Sequence, residues 1–428
     1  MEKLRTTLST WSKSLLIFAL AALAVFQVSQ LWFVNITDRN FFLYLQARFA
    51  PVAPDGLEDF TRPFRVVYGA GDGHFHIRHS EIRDLGAWGY STRAITEILT
   101  HGQFVAQQPA AEVQIMSRPV FLYEYAFAMS PDIFAQAFGH RVATALSGGD
   151  VDSFYKIAVL PPGDDDSAKV FFINHEYAWE FSLERDNRAS LAITIDDVPQ
   201  DALHFVPDEG DSFAFLPIIP AGFVYHPLNV VNPYKDALGA LRLVFIRGRI
   251  ATFFNNPATI NESPGVDGTY TFSNLNTIVR YHTGDVLEYS SFRPIGSTAS
   301  INLVGDFSAA LAFVDSDQFV INEVFLADYE PRGRGHLFRF NYVISDFPVV
   351  LNQEWPTGVN CRDPLLAPIE VEVDHGRVIR YRRLAYNFHM NEDYVSFAHH
   401  LSGQGDIGFI IDYDPADDFR LRLELLGE

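Results

Sequence analysis

The stretch IEVEVDHGRVIRYRRLAYNF, residues 369–388, determines much of the predicted fold. Ile369, Val371 and Val373 are alternate residues, so in an extended chain they lie on one face. The turn residues Asp374-His375-Gly376 follow, and Val378 begins a return strand. The stretch therefore predicts an antiparallel hairpin with one buried face.

The same strand signals recur along most of the chain. In residues 120–129, Phe121, Tyr123, Tyr125 and Phe127 alternate on one predicted face. Other predicted strands and hairpins are RPFRVVYGAGDGHFHIRH (62–79, around Asp72-Gly73), FYKIAVLPPGDDDSAKVFFIN (154–174), the segment 251–292 (with turns at Asp267-Gly268 and Gly284-Asp285), VFLADYE (324–330) and HLFRFNYVISDFPVV (336–350).

Helix signals are fewer and come with caps. In STRAITEILTHG (91–102), Ser91 is the predicted N-cap and Gly102 the stop. In SPDIFAQAFG (130–139), Ser130 is the predicted cap, Pro131 the first helical residue and Gly139 the stop. A helix is also predicted near DFSAALAFVDSD (306–317), whereas ALGALRLVFI (237–246) fits either a helix or a strand. The buried stripe of the first helix is predicted to be Ile95, Ile98 and Leu99.

An uncharged, almost wholly apolar run precedes these elements. No residue between Lys13 and Asp38 is charged, and about 20 helical residues cross a bilayer core. The run predicts an uncleaved signal anchor over residues 14–34; the alternative is a cleaved signal peptide, whose apolar region is typically shorter. Because Lys3, Arg5 and Lys13 flank its inner side, residues 1–13 are predicted to be a cytoplasmic tail and the rest extracytoplasmic. The predicted location is therefore the cell membrane, crossed once.

Composition restricts what the external part does. The formal net charge of −21 argues against nucleic-acid binding, because such a chain repels a phosphate backbone. Cys361 is the single cysteine, so no disulfide forms within the chain and its domains depend on hydrophobic cores. Length predicts two or three domains, with an N-terminal α+β domain over 38–200, a central domain over 205–295 and a C-terminal α+β domain over 298–428. The predicted fold class is α+β with mostly antiparallel sheets.

Several polar clusters are candidates for chemistry. His74 and His76 share a strand face and, with His79, are the best metal candidates, but no Glu or Cys completes a set, so we favour ordinary hairpin residues. The loop PRGRGHLFR (331–339) could receive an anion through its arginines or be a plain basic turn. The glycines of YGAGDG (68–73) lack the G-x-G-x-x-G spacing and precede a predicted strand, so they do not form a dinucleotide loop. Weaker candidates, interpreted as solvated turns or edges, are Asp164–Asp166, His399-His400 and DYDPADD (412–418). No hydrolase or metalloprotease motif occurs, and the sequence predicts no catalytic residues, cofactor or metal site.

A resemblance to a known family becomes visible in three blocks. They are QLWFVNITDRNFF (30–42), FFNNPATINE with GTYTFSNLNTIVRYHTGDVLEY (253–289), and HLFRFNYVISDFPVV with IEVEVDHGRVIRYRR (336–383). Together these blocks resemble the YycH family of Gram-positive bacteria, accessory regulators of the WalK/WalR (YycG/YycF) two-component system for cell-wall homeostasis.

The resemblance implies a specific function. A YycH-like chain has one membrane helix and an extracytoplasmic part of three domains. It implies a non-enzymatic regulator whose partners are a WalK-like sensor histidine kinase and a YycI-like protein. The alternatives from other classes are an anchored cell-envelope enzyme and an extracytoplasmic ligand-binding protein.

The predicted membrane helix carries polar residues that need an explanation. In AVFQVSQLWF (24–33), Gln27 and Gln30 are three residues apart and share a helix face with Leu20 and Leu23. An amide that faces another helix finds a hydrogen-bond partner that lipid tails do not offer. We therefore predict a transmembrane partner contact through Leu20, Leu23, Gln27 and Gln30; the alternative is that the glutamines meet headgroups and water.

The anchor makes a prediction about the mature protein. The chain is expected to keep residues 1–34 and to remain with membranes through a high-salt wash, because apolar burial does not weaken with salt. Fractionation followed by N-terminal sequencing measures this. Recovery of a soluble form that begins near residue 30 would contradict it.

Overall fold

The architecture is dominated by antiparallel strands, as the alternating sequence pattern predicts. It comes from a computed structural model, and all the residues that it describes lie in one compact unit, Asp55–Glu428. The structure describes residues 60–70, 75–79, 85–113, 118–162, 167–184, 204–208, 211–218, 224–225, 228–236, 238–254, 256–265, 268–292, 302–317, 320, 322–344, 347–351, 363–390, 395–396, 406–412 and 420–426, and the side chains of 75–79, 85–90, 204–225 and 390–426 are not part of that description.

The first part of the chain forms a nine-stranded sheet with the order β3-β7-β6-β5-β4-β1-β2-β8-β9. Its helices follow β2 and β4 along the chain. The elements are β1 (Arg65–Ala70), β2 (Phe75–His79), α1 (Leu85–His101), β3 (Gln103–Pro109), β4 (Pro119–Met129), α2 (Pro131–Phe138), α3 (His140–Gly148), β5 (Phe154–Leu160), β6 (Ser167–Ile173), β7 (Tyr177–Glu184), β8 (His204–Asp208) and β9 (Asp211–Ile218).

The central strand β4 has two buried faces. Its aromatic face, Phe121, Tyr123, Tyr125 and Phe127, belongs to the main core, as the alternation predicts. The opposite face is also covered, because Leu122 lies in a second cluster of buried apolar residues with Val120 and Ala158, among others. The hairpins predicted for 62–79 and 154–174 are confirmed, since β1 pairs with β2 and β5 with β6, both antiparallel.

One predicted helix start is wrong. Helix α1 begins at Leu85, so Ser91 lies inside the helix and is not its cap. The Ser91 hydroxyl is buried and hydrogen-bonds with the Tyr123 hydroxyl of β4 instead. The predicted stripe is confirmed, since Ile95, Ile98 and Leu99 are all buried. The helix ends at His101 as Gly102 predicts, and there a Cβ on Gly102 would lie 2.4 Å from the carbonyl oxygen of Ser182.

The bounds of the second helix agree with its proline and glycine signals, whereas the Ser130 side chain forms no capping hydrogen bond. Helix α2 begins at Pro131 after Ser130 and ends at Phe138 before Gly139, whose φ is 100°. Helix α3 follows directly, and the backbone N–H of Val142 donates to the Gly139 carbonyl at 3.1 Å. Only glycine adopts such a φ without strain, so Gly139 allows two short helices to meet at an angle.

The second part of the chain forms an eleven-stranded sheet. Its order is β12-β13-β14-β15-β20-β19-β17-β18-β23-β24, with β16 also paired to β17; two short pairs, β10–β22 and β11–β21, stand apart. The elements are β10 (Val224–Tyr225), β11 (Leu228–Val231), α4 (Leu243–Ile250), β12 (Asn261–Pro264), β13 (Tyr270–Ser273), β14 (Thr277–His282), β15 (Val286–Ser291), α5 (Leu303–Ser316), β16 (Glu323–Arg332), β17 (Gly335–Ile344), β18 (Phe347–Leu351), β19 (Ile369–Asp374), β20 (Arg377–Leu384), β21 (Asn387–Met390), β22 (Val395–Ser396), β23 (Asp406–Asp412) and β24 (Arg420–Leu426).

The opening hairpin of the sequence lies at the centre of this sheet. Strands β19 and β20 pair antiparallel, and Ile369, Val371 and Val373 are fully buried. Their turn uses left-handed backbone at His375 and Gly376, with φ of 53° and 70°.

The ambiguous segment 237–246 contains the start of helix α4 rather than a strand, whereas α5 agrees with the predicted helix.

Aromatic rings join the two sheets. Phe60 contacts Phe127 of β4 at 5.4 Å between ring centroids, Phe307 of α5 at 5.1 Å and Tyr329 of β16 at 5.6 Å. Phe127 also contacts Tyr329 edge to face at 5.3 Å. Such pairs contribute about 0.5–1.5 kcal/mol each beyond area burial. We call Phe60, Phe127, Phe307 and Tyr329 the aromatic seam.

The predicted division of the extracytoplasmic part into three domains stays a prediction.

Backbone proximity in the second sheet gives a stability prediction. A Cβ on Gly335 would lie 1.9 Å from the carbonyl oxygen of Val373, so Gly335→Ala has to push β17 away from β19. We expect a loss of at least about 2 kcal/mol in the free energy of unfolding. Gly148→Ala is the matched control, because nothing lies within 4 Å of its Cβ, and a gain of up to about 1 kcal/mol is expected. Urea unfolding of both variants measures the difference, and equal midpoints would contradict the prediction.

Candidate functional site

Strand β20 distributes charged residues to both of its faces. Residues Arg380 to Arg383 read Arg-Tyr-Arg-Arg, and side chains alternate along a strand. Tyr381 and Arg383 therefore share one face, and both are fully buried. Arg380 and Arg382 lie on the other face. A guanidinium inside a protein is stable only with charged or hydrogen-bonding partners, so both faces of β20 need acceptors.

The inward arginine binds a single carboxylate. Arg383 donates from Nε to Asp317 Oδ2 at 2.7 Å, and from Nη2 to the hydroxyl of Tyr234 at 2.8 Å. Its Nη1 donates to the carbonyl of Leu384 at 2.8 Å. Tyr381 donates its hydroxyl proton to the same Asp317 oxygen at 2.9 Å. Asp317 directly follows α5, so this pair connects the end of that helix to the centre of the sheet.

A second carboxylate lies in the turn between β14 and β15. Asp285 accepts hydrogen bonds from Lys235 Nζ at 2.7 Å, from the Tyr281 hydroxyl at 2.5 Å and from the Tyr386 hydroxyl at 2.7 Å. Asp285 has a φ of 56°, a left-handed conformation that aspartate tolerates better than most residues. The chain at this turn is also connected to the segment after β20, because the N–H of Ala385 donates to the Asp285 carbonyl at 2.7 Å.

The two carboxylates belong to one buried polar cluster. Tyr234 and Tyr281 connect them, with ring centroids 5.5 Å apart in an edge-to-face contact. The cluster draws residues from the loop before α4, from β14 and its turn, from the end of α5 and from β20. We define the buried polar cluster as Tyr234, Lys235, Tyr281, Asp285, Asp317, Tyr381, Arg383 and Tyr386.

The electrostatics of this cluster do not suit acid–base catalysis at neutral pH. Burial raises the pKa of Tyr234 above its ordinary value, and burial together with Asp285 raises that of Tyr281. Burial alone would lower the pKa of Arg383, but Asp317 and the neighbouring tyrosines raise it well above its ordinary value. The tyrosines therefore stay neutral and the arginine stays charged near pH 7. None of these groups titrates near pH 7, as an efficient general acid or base at that pH has to do.

The arginines on the other face of β20, of which Arg382 is also buried, are paired as well. Arg380 donates to Glu288 Oε1 at 3.1 Å and contacts Asp363, while Arg382 contacts Glu370 of β19. Burial alone would raise the pKa of Glu288, but its hydrogen bond with His282 and the charge of Arg380 lower it to about 2.

The arginines of the loop 331–339, interpreted from sequence as a plain basic turn with an anion site as the alternative, have acidic neighbours. Arg339 binds Asp328 at 2.6 Å and Glu330 at 3.1 Å. Arg332 lies 3.7 Å from Glu372, and Arg334 lies 3.9 Å from Asp374. These contacts favour the plain basic turn over an anion site.

A cavity of about 410 Å³ lies beside α5, and few of the side chains that line it are titratable. Its lining includes Phe253 and Phe313, which stack with centroids 5.4 Å apart, and Tyr289 at 4.9 Å from Phe313. Arg377 is the charged side chain of the lining. Across the described residues, no group of three or more His, Cys, Asp or Glu side chains is placed to hold a metal ion.

Most residues that the sequence singled out lie outside the described residues. The predicted partner contact, Leu20, Leu23, Gln27 and Gln30, does so. His76 and His79 fall within β2, whose side chains are not described. The others outside the described residues are His74, Asp164–Asp166, Cys361 and His399-His400.

A separate observation concerns membrane helices. Within the described ranges, no helix has both the length and the apolar character that a bilayer crossing requires.

Sequence reasoning missed the buried polar cluster. Its members are far apart in the chain. They meet because β20 pairs with β15, which places Tyr381 opposite Tyr289, near the turn that carries Asp285. One signal was available, because Arg383 follows an alternating apolar pattern and a buried arginine requires a carboxylate. No pattern in the sequence identifies Asp317 as that carboxylate.

The Asp317–Arg383 pair gives a second stability prediction. Asp317→Asn keeps the shape of the side chain but leaves the buried Arg383 charge uncompensated, so we expect a loss of about 3–5 kcal/mol in the free energy of unfolding. Arg247→Met is the control, because the Arg247–Glu262 pair at 3.0 Å is exposed and contributes less than about 1 kcal/mol. Denaturant unfolding compares the two variants. If Asp317→Asn unfolds at the same midpoint as the control, the pair does not stabilise the sheet.

Comparisons with known proteins give one structural similarity. No family model matches the chain, and no curated protein matches it. The structure is similar to the crystal structure of YycH from Bacillus subtilis, with a TM-score of 0.48 and 10% sequence identity over 87% of this chain and 95% of that chain.

Proposed function

We propose that the chain is a membrane-anchored, non-catalytic regulator of a WalK-like sensor histidine kinase and acts together with a YycI-like partner. The observation that carries this proposal is the sequence resemblance of three blocks to the YycH family. Two of those blocks, 253–289 and 336–383, cover most of β12 to β15 and of β17 to β20 in the second sheet. They also contribute four members of the buried polar cluster, Tyr281, Asp285, Tyr381 and Arg383. The resemblance therefore covers residues that build one packed sheet.

The distribution of charge supports a non-catalytic role. The buried carboxylates in the second part of the chain have hydrogen-bonding partners, including Asp306 of α5, which lies 2.7 Å from His336 Nδ1. In the first sheet, Glu124 lies between Arg65 and Lys156; burial would raise its pKa, but these cations lower it to about 2. Carboxylates held in this way are poor general acids, because they give up their proton far below neutral pH.

Exposed apolar side chains support contact with other proteins. Leu275 is 97% exposed and Phe292 is 61% exposed. The two lie close together, because the N–H of Phe292 donates to the carbonyl of Asn276 at 2.8 Å. Neighbouring apolar side chains in water are a common feature of protein interaction surfaces. We propose that this end of the β14–β15 hairpin contributes to partner contact.

The anchor supplies the second part of the proposed mechanism. Signalling would depend on the face of residues 14–34 that carries Leu20, Leu23, Gln27 and Gln30. Hydrogen bonds between helices in a bilayer are modest, on the order of 0.6–2 kcal/mol each. The glutamines would therefore set the partner and the register more than the affinity.

This mechanism predicts the effect of a double substitution. Gln27→Leu with Gln30→Leu makes the segment more apolar, so membrane insertion is expected to be unchanged or improved. The helix–helix hydrogen bonds disappear, and association with the kinase is expected to fall about 5- to 150-fold, which corresponds to about 1–3 kcal/mol. Kinase-dependent reporter output and crosslinking of the helix in cells measure this.

The control places similar changes on the opposite face of the same helix. Phe18→Leu and Val25→Leu keep its apolar character and are expected to leave signalling unchanged, because both residues lie about half a turn around the helix from Gln27. If the double leucine variant signals and crosslinks like the parent, the glutamines are interfacial and regulation runs through the extracytoplasmic part.

A further inference from the structure

A polar cleft of about 590 Å³ lies at one border of the first sheet, away from the buried polar cluster. It is formed by the loop after α3, the turn between β6 and β7, and the neighbouring parts of β3, β5 and β7. Three carboxylates and three aromatic rings dominate its lining: Asp150, Asp152, Glu176, Tyr155, Tyr177 and Trp179.

The carboxylates of this cleft have no cationic partner among the described residues, although Asp152 Oδ1 accepts from the backbone N–H of Ser153 at 2.7 Å. Asp150, Asp152 and Glu176 are exposed, and none forms an ion pair with a described residue. No lysine or arginine lines the cleft. By contrast, Glu124 and Glu180 of the same sheet are both paired with lysines, at 2.9 Å and 2.8 Å. Unpaired carboxylates around a concave surface attract a cation, more so in a chain with a net charge of −21.

The aromatic rings give the cleft a surface that also suits a cation. Tyr177 is 42% exposed, and its ring centroid lies 6.3 Å from that of Trp179. Tyr155 lies across the cleft with its ring 4.5 Å from that of His175. Ammonium and guanidinium groups bind over tyrosine and tryptophan faces, with the strongest effect at tryptophan. Carboxylates and rings together therefore favour an organic cation over a hydrated metal ion.

Trp179 provides an independent indication of a ligand. The residue is only 2% exposed. Its indole Nε1 is buried and has no hydrogen-bond partner among the described residues. An unmatched buried donor costs about 1–3 kcal/mol. An indole N–H needs an acceptor, which an ammonium group does not provide. The occupant that satisfies both needs carries a cation and a carbonyl oxygen, as a polypeptide with a lysine or arginine does.

The edge of the sheet next to the cleft suits an extended polypeptide. Strand β3 is the last strand on this side, so among the described strands only β7 pairs with it. Gln107 of β3 lines the cleft, while Phe104 and Val105 are 40% and 50% exposed. A free edge offers N–H and C=O groups to an added strand, and the side chains of that strand then enter neighbouring pockets.

We propose that the cleft between Asp150, Asp152, Glu176 and Tyr177 binds a lysine or arginine side chain of a partner polypeptide whose backbone adds along β3. The carboxylates receive the cation and the rings lie against its alkyl stem and charge; the indole of Trp179, whose Nε1 is buried, has to turn toward the cleft for a carbonyl of the same segment to accept from it. This inference does not depend on the proposed regulatory function, because it uses only the geometry of the first sheet.

The test uses the full chain in mild detergent and a dye-labelled pentapeptide, acetyl-Val-Ser-Lys-Ser-Val, followed by fluorescence anisotropy. The lysine peptide is expected to bind about tenfold or more tightly than its counterpart with glutamine at the centre, and its affinity should fall with added salt. Asp150→Asn with Asp152→Asn is expected to weaken it by about tenfold as well. Asp132→Asn, an exposed acid of α2 that does not line the cleft, is the matched control and should change nothing.

Two further probes separate the occupants. A lysine peptide methylated on its backbone nitrogens is expected to bind weakly, because it cannot add to the edge of β3. Butylamine, which has the cation without the peptide, is expected to compete poorly. If the lysine and glutamine peptides bind alike, or the double asparagine variant binds like the parent, the cation site is wrong. If butylamine competes as well as the peptide, or methylation has no effect, the polypeptide occupant is wrong.

Discussion

The second sheet depends on keeping one positive charge inside the protein. Arg383 has no exposed surface, and taking a guanidinium out of water costs several kcal/mol unless it is paired. Its partner, Asp317, comes from the end of α5, and its further contact, Tyr234, comes from the loop before α4. The helix and the loop therefore have to adopt one position relative to β20. An apolar contact of the same size would allow sliding, whereas a buried ion pair with hydrogen bonds fixes the register.

The aromatic seam supplies the other fixed point. Phe60 contacts both β4 of the first sheet and β16 with α5 of the second. Since α5 also ends at Asp317, the same helix takes part in the aromatic seam and in the buried polar cluster. A disturbance at one sheet can thus reach the other through a single rigid element.

The use of charge differs between the two sheets. In the second sheet, arginines on both faces of β20 are paired with acids from β15, β19 and the end of α5. In the first sheet, Asp150, Asp152 and Glu176 of the cleft beside β7 have no cationic partner among the described residues. Paired charges stabilise the molecule and are not available to other proteins. Unpaired charges beside an open strand edge contribute little to stability, and their position is therefore more informative about partners.

The sequence by itself determined the local elements. Alternation of apolar residues predicted β4, β19 and β20, and proline and glycine signals predicted both ends of α2, because these patterns depend on backbone geometry alone. It misplaced the start of α1 at Ser91, since a serine that caps a helix and one that meets Tyr123 inside the core look alike in sequence. Only the tertiary structure decided which acid pairs with Arg383, which residues meet in the cleft, and which strand remains at the edge. These depend on strand order and long-range pairing, where residues more than sixty positions apart meet, and local sequence patterns carry no information about such distances.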